Sequence, residues 1–190
     1  MRGSVAAMAD LHEPWLIRPA TPDDAEEYVR CHVDCLAETY AEVMPPEFAA
    51  QHRADAPQEV RRARESWGRG GPVSSWLARD AAGDVVGVVS SGTGQQGWEM
   101  ELGAPPTSVR HQLQHLYTPS RTHGSGLGRA LLAAALPDEA TYLWILHGNT
   151  RADRFYRRHG FAPDGDEMIC GPSWFFRTMY RMVRPGSTAD

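Results

Sequence analysis

The segment Gly124-Ser125-Gly126-Leu127-Gly128 constrains this chain more than any other. Before it, Leu113, His115 and Tyr117 alternate with Gln114, Leu116 and Thr118 in the two-residue rhythm of a strand. After it, Arg129 to Leu136 is rich in Ala and Leu and stops at Pro137, the pattern of a short helix. A glycine turn from strand to helix points backbone N–H groups outward, and the helix N-terminus adds partial positive charge. That is a generic anion site. A nucleotide-binding P-loop would close on Gly-Lys-Ser/Thr, and the chain has no lysine. The dinucleotide fingerprint places its third glycine one residue beyond Gly128. The loop fits neither, and taken alone it is equally compatible with a tight turn that binds nothing.

Charge and composition narrow the classes. Nineteen basic residues, all arginine, stand against 24 acidic ones for a net charge of -5, which argues against a general nucleic-acid binder with its basic face. With 42% hydrophobic and 23% charged residues the chain is neither disordered nor collagenous. No stretch approaches the roughly 20 apolar residues of a membrane span, and Met1 to Leu11 lacks a signal-peptide core, so the expected location is cytoplasmic and away from membranes. Cys31, Cys35 and Cys170 include no C-x-x-C pair, so neither a disulfide framework nor a metal site is expected.

The organisation reads as a loose leader over residues 1–14, one domain over 15–184 and a tail over 185–190. Trp15 to Arg18 is strand-like, and Thr21 and Pro22 open a helix whose apolar stripe runs through Ala25, Tyr28, Val29, His32, Val33, Leu36 and Tyr40. A more polar helical region follows from Pro46 to Trp67. Val73 to Arg79 and Val85 to Ser91 form a hairpin across Ala82-Gly83-Asp84. Gly92 to Gly103 resists assignment. Thr141 to Leu146 is a strand and Asn149 to His159 a helix stopped by Gly160; Met168 to Cys170 and Phe175 to Val183 are expected as closing strands.

Two separated motifs carry a resemblance. Leu116-Tyr117-Thr118 with the loop His123 to Leu132, and then Leu143 to Tyr156 with His159-Gly160-Phe161, resemble the GNAT (GCN5-related) N-acetyltransferase superfamily over about Leu16 to Arg184. The order of elements is similar too. The resemblance implies an α/β (α+β) fold: a mixed, mostly antiparallel central sheet flanked by helices and splayed between its fourth and fifth strands, with acetyl-CoA as cosubstrate in the gap. It implies pantetheine pairing by Leu116, Tyr117 and Thr118, and pyrophosphate binding by His123, Gly124, Ser125, Gly126, Leu127, Gly128 and Arg129. It further implies that Asn149 hydrogen-bonds the cofactor and that Tyr156 stands by the sulfur as general acid for the departing thiolate.

The chain departs from the pattern at His123, where Arg or Gln usually precedes the first glycine, and at His147, where many relatives carry Glu. Arg121 or Arg129 would supply the missing cation. His147 is thereby a candidate catalytic base, alongside His115, His111, Glu99, Glu101 and water, because imidazole accepts a proton near neutral pH. Alternation puts His111 and His115 on one strand face with Leu113. Tyr40, Met44, Pro45, Pro46, Trp174, Phe175 and Phe176 either line an acceptor pocket or pack the core. The implied activity is acetyl transfer to a primary amine of a small molecule, peptide or protein by direct attack in a ternary complex. Transfer of a longer acyl group and a non-catalytic acyl-CoA sensor are the alternatives. Relatives often pair, which suggests a homodimer.

Overall fold

A computed structural model describes residues 15–70 and 73–186; the expected leader at 1–14 and the end of the tail lie outside them. β1 (Trp15–Pro19) leads to a 3-10 turn at Pro22–Asp24, α1 (Ala25–Tyr40) and α2 (Pro46–Arg69). β2 (Val73–Asp80) and β3 (Val85–Thr93) form the hairpin, a short α3 (Gly97–Glu101) occupies the unassigned segment, and β4 is His111–Tyr117. Then come α4 (Leu127–Ala135), β5 (Thr141–Leu146), α5 (Thr150–Arg158), β6 (Ala162–Ile169) and β7 (Thr178–Arg184).

The strands make one sheet in the order β1-β2-β3-β4-β5-β7-β6, antiparallel except between β4 and β5. That parallel pair is joined only at His111 with Thr141 and Gln112 with Tyr142. Beyond those residues the two strands part, so the sheet is splayed where the resemblance implies.

α1 presents Tyr28, Cys31 and Cys35 to Leu77, Val85 and Val88 on one face of the sheet. On the other face Leu127, Leu131, Leu132 and Ala135 of α4 pack with Val89, Leu113, Leu143, Ile145 and Met182. The start of α1 is anchored electrostatically. Asp24 accepts from the Thr21 N–H at 2.9 Å and the Arg18 guanidinium at 2.6 and 2.7 Å, with Arg79 at 3.0 Å. Arg18 above all holds the Asp24 carboxyl well below the usual carboxylate range.

Three expectations need correction. The first closing strand begins at Ala162, well before Met168, although Pro163 and Gly165 read as loop. It is an edge strand with an irregular register between Pro163 and Glu167, where proline is tolerated, and buried Arg181 of β7 binds Asp164 at 2.5 Å and also pairs with Asp166. The second closing strand starts at Thr178, because Phe175 and Phe176 have φ of 50° and 53° and form a turn. His115, finally, does not share a face with His111 and Leu113. Ser90 pairs with His115 but Ser91 with Leu113, so Gln114 is the extra residue of a β-bulge. The bulge returns Leu113 and His111 to the α4 face and leaves Gln114, His115 and Tyr117 facing α1 and α2.

Candidate active site

The glycine loop sits where β4 runs into α4. Gly124 and Gly126 have φ of 81° and 95°, a left-handed conformation open to glycine at little cost, and a Cβ on either would meet nothing within 4 Å. The loop therefore presents bare backbone to open space. Leu127 N–H reaches the Ser125 hydroxyl at 3.3 Å, while Gly128 and Arg129 lie in the first turn of α4, whose amides have no acceptor within the helix. These are the donors a phosphate needs.

His123 does not stand there alone. Its Nε2 lies 2.7 Å from Arg151 Nη1 and 3.2 Å from the Thr118 carbonyl oxygen. Arg151, in the first turn of α5, thus brings a permanent cation to the loop. Arg121 instead lies against α1 in a separate hollow near Cys31 and Cys35, and Arg129 is exposed.

Three tyrosines meet at the parting of β4 and β5. Tyr156 belongs to the core on the α4 face, with Leu143, Ile145 and Phe161. Tyr40 belongs to the core on the opposite face, with Phe48 and Met179. Their hydroxyls nevertheless act on each other, and both act on Tyr117: burial and then Tyr40 raise the Tyr156 phenol, and burial, Tyr40 and Tyr156 raise that of Tyr117. Asn149 sits beside them as the cap of α5. Its Oδ1 accepts from Ala152 N–H at 3.1 Å, and its Nδ2 donates to the Tyr40 hydroxyl at 3.4 Å.

On the α1 and α2 side the gap opens into a cleft of about 750 Å³. β4 contributes Gln112, Gln114, His115 and Tyr117; β5 contributes Trp144 and Leu146. Helices α1 and α2 add His32, Tyr40, His52, Asp55, Glu59 and Arg62, and the segments around α3 and before β7 add Trp98, Glu101 and Trp174. His32 stacks on His115 at 4.4 Å, and His115 Nε2 lies 2.8 Å from the Tyr28 hydroxyl, which donates to Val89 O. Burial pushes the His115 imidazole down to about 4 and those of His32 and His52 below their ordinary value. All three are neutral near pH 7. Burial and nearby Asp55 raise the Glu59 carboxyl. Three buried polar atoms on this wall lack a partner: Gln112 Oε1, Gln114 Nε2 and His52 Nε2. Each orphan costs about 1–3 kcal/mol unless something enters the cleft to meet it.

Of the other base candidates, all but Glu101 lie elsewhere. His147 Nε2 is 3.0 Å from Glu167 Oε1, with its ring 4.9 Å from that of Tyr180, in a different hollow beside α5 and β6. His111 lies 3.5 Å from Glu139 on the α4 side. Glu99 is fully buried and accepts from Tyr142, Trp144 Nε1 at 2.6 Å and Gln96 N–H at 2.6 Å. Its carboxylate is committed to holding α3 on the sheet. Glu101 stands at the cleft. Of the proposed pocket aromatics, Tyr40 and Trp174 line the cleft, Met44 is buried beside them, and Phe175 and Phe176 line a separate hollow with Pro45. Sequence reading missed Arg151, Gln112, Asp55 and Glu59; only the four-residue spacing of Asp55 and Glu59 on one helix was a signal.

The sequence profile described as the acetyltransferase (GNAT) domain matches residues 72–163, which span the hairpin, the glycine loop and the start of β6. This chain belongs to the GNAT superfamily.

Solved structures of the superfamily agree over nearly the whole chain. A PaiA N-acetyltransferase from Thermoplasma acidophilum, in complex with coenzyme A, aligns with a TM-score of 0.64 at 15% identity, covering 90% of this chain and 98% of that one. A protein from Corynebacterium glutamicum titled histone acetyltransferase HPA2 and related acetyltransferase gives 0.56 at 25% identity, covering 93% and 98%. A ribosomal-protein-alanine N-acetyltransferase from Brucella melitensis gives 0.61 at 21%, covering 90% and 99%. A search of curated proteins finds no match. Among the described residues of this GNAT chain no helix is long and apolar enough to cross a membrane, and no cluster of His, Cys, Asp and Glu is arranged to hold a metal ion.

Proposed function

We propose that this GNAT protein transfers an acetyl group from acetyl-CoA to a primary amine by direct attack in a ternary complex. The observation that carries the reading is the parting of β4 and β5 beyond their two residue pairs, with a bare glycine loop at one end and a cleft at the other. When bound, acetyl-CoA supplies an acyl group activated as a thioester. The residues present fit it: the amides of the loop and of the first turn of α4, with Arg151 as the cation in place of a basic residue at His123, suit phosphates. Leu116, Tyr117 and Thr118 lie beyond the last β4–β5 pairing and so have backbone groups to offer a pantetheine arm.

Side chains then meet every requirement of the transfer except removal of the amine proton. The raised Tyr156 phenol keeps its proton at working pH, which suits a general acid facing a departing thiolate. Gln114 Nε2, unpartnered in the cleft, is a donor for a carbonyl oxygen. Of the histidines weighed as base, His115 is the one that lines the cleft. Protonating a group with a pKa of about 4 at pH 7 costs about 4 kcal/mol, so His115 serves as a hydrogen-bond acceptor for the amine and water carries the proton out. His147 has no part in this scheme.

The test is calorimetric titration with acetyl-CoA, with NAD and ATP as controls, followed by thiol release with a panel of amines. Selective micromolar binding and amine-dependent release support the reading. Binding without release from any amine identifies a sensor, release with longer acyl-CoA alone corrects the donor, and no binding by folded protein overturns the loop assignment.

A further inference from the structure

Resting on that reading, we infer that the cleft selects an acceptor with a second cationic nitrogen, held by Asp55 and Glu59 of α2 and the Gln112 side-chain oxygen of β4. Asp55 and Glu59 are one helical turn apart, so both carboxylates rise from one stretch of the wall. Glu101 joins them from α3, and among the described residues Arg62 is the one arginine in the lining. The three histidines do not offset this excess, since each is held neutral. Glu59 responds to the crowding: burial and Asp55 shift its carboxyl upward against the pull of Arg62. A cation placed there removes that penalty.

Acidic side chains alone would not identify a ligand, but Gln112 adds an independent observation. The residue is 2% exposed and lines the same cleft, and its Oε1 has no hydrogen-bond partner. An amide oxygen accepts and never donates, so its missing partner is an N–H or O–H group. Ammonium brings several such donors and full charge together. The indole faces of Trp98 and Trp174 on the lining add a surface that attracts cations. A neutral amine satisfies none of the carboxylates, and an anionic acceptor meets repulsion from all three.

The test compares putrescine, a linear diamine of four carbons, with n-butylamine, which lacks only the second nitrogen, and with the matching amino alcohol. With acetyl-CoA saturating, kcat/KM for the diamine is expected to exceed that for the monoamine by at least about tenfold, the worth of one retained charge contact. Asp55→Asn and Glu59→Gln should each shrink that ratio, mainly through KM, and the double variant should bring it close to one. Calorimetry of putrescine against the protein saturated with CoA supplies a readout apart from turnover, and its affinity should fall with added salt. Equal kcat/KM for the diamine and either control, or a ratio that survives in the folded double variant, overturns the inference and leaves the acetyltransferase reading intact. Binding of putrescine that depends on Glu59 without release of CoA supports the cation site and overturns the catalytic reading.

Discussion

At the scale of single residues, environment decides what each titratable group can do. Apart from its motif, Tyr156 looks like any helix tyrosine in sequence; burial and its neighbour Tyr40 raise its phenol, so it holds a proton to donate. Tyr156→Phe keeps the ring and removes the proton. We expect kcat to fall by at least about tenfold with little change in acetyl-CoA affinity, measured by steady-state thiol release and calorimetry side by side. Turnover like that of the wild type sinks the general-acid role. Asp24 illustrates the opposite shift. Its carboxyl is lowered in the folded state, so its contribution is complete above the unfolded value of about 4 and is lost as pH falls through the folded one. Because Arg18 is 35% exposed, Asp24→Asn should cost only about 2–3 kcal/mol at pH 7. Denaturant titrations should show the difference from wild type narrowing at pH 3, and a pH-independent difference would refute the ion-pair account.

At the scale of elements, the loop with α4 and the bulged β4 carry the site. A Cβ at Gly126 meets open space, so the cost of a side chain there is the left-handed backbone, on the order of 1–2 kcal/mol. Gly126→Ala and Gly126→Asp share that cost, and only the second sets negative charge where a phosphate would lie. Acetyl-CoA affinity should drop severalfold in the first variant and beyond detection in the second, and equal affinity in both would remove the loop assignment. The motif for this element is local: glycine geometry and a helix N-terminus are encoded in adjacent residues, which is why it was legible. The bulge was not. Period-two alternation assigns His115 to the face of Leu113, and nothing in Gln112-Leu113-Gln114-His115 announces an extra residue, because pairing with Ser90 and Ser91 of β3 creates it. The same holds for β6, whose Pro163 and Gly165 read as loop until Arg181, on another strand, ties down Asp164 and Asp166.

At the scale of the whole molecule, the sheet is held together at β4 and β5 by two residue pairs, so the rest of that seam is open to a ligand. A compound that bridges the seam and binds only the folded state raises stability by mass action, about 2.7 kcal/mol at a hundred times its Kd. For a chain of this size that corresponds to a rise in Tm of about 5–10 °C. Thermal melts should show such a rise with acetyl-CoA and none with equal NAD or ATP. The sequence alone determined the order of elements, the glycine loop and the superfamily, since each depends on residues near one another along the chain. Tertiary structure alone decided which side chains share the cleft. Asp55, Glu59, Gln112 and His115 come together there, His147 turns toward Glu167, and Arg151 reaches His123. Those choices depend on strand register and on which face of a helix meets the sheet, and in β4 a single extra residue decides the face on which His115 lies.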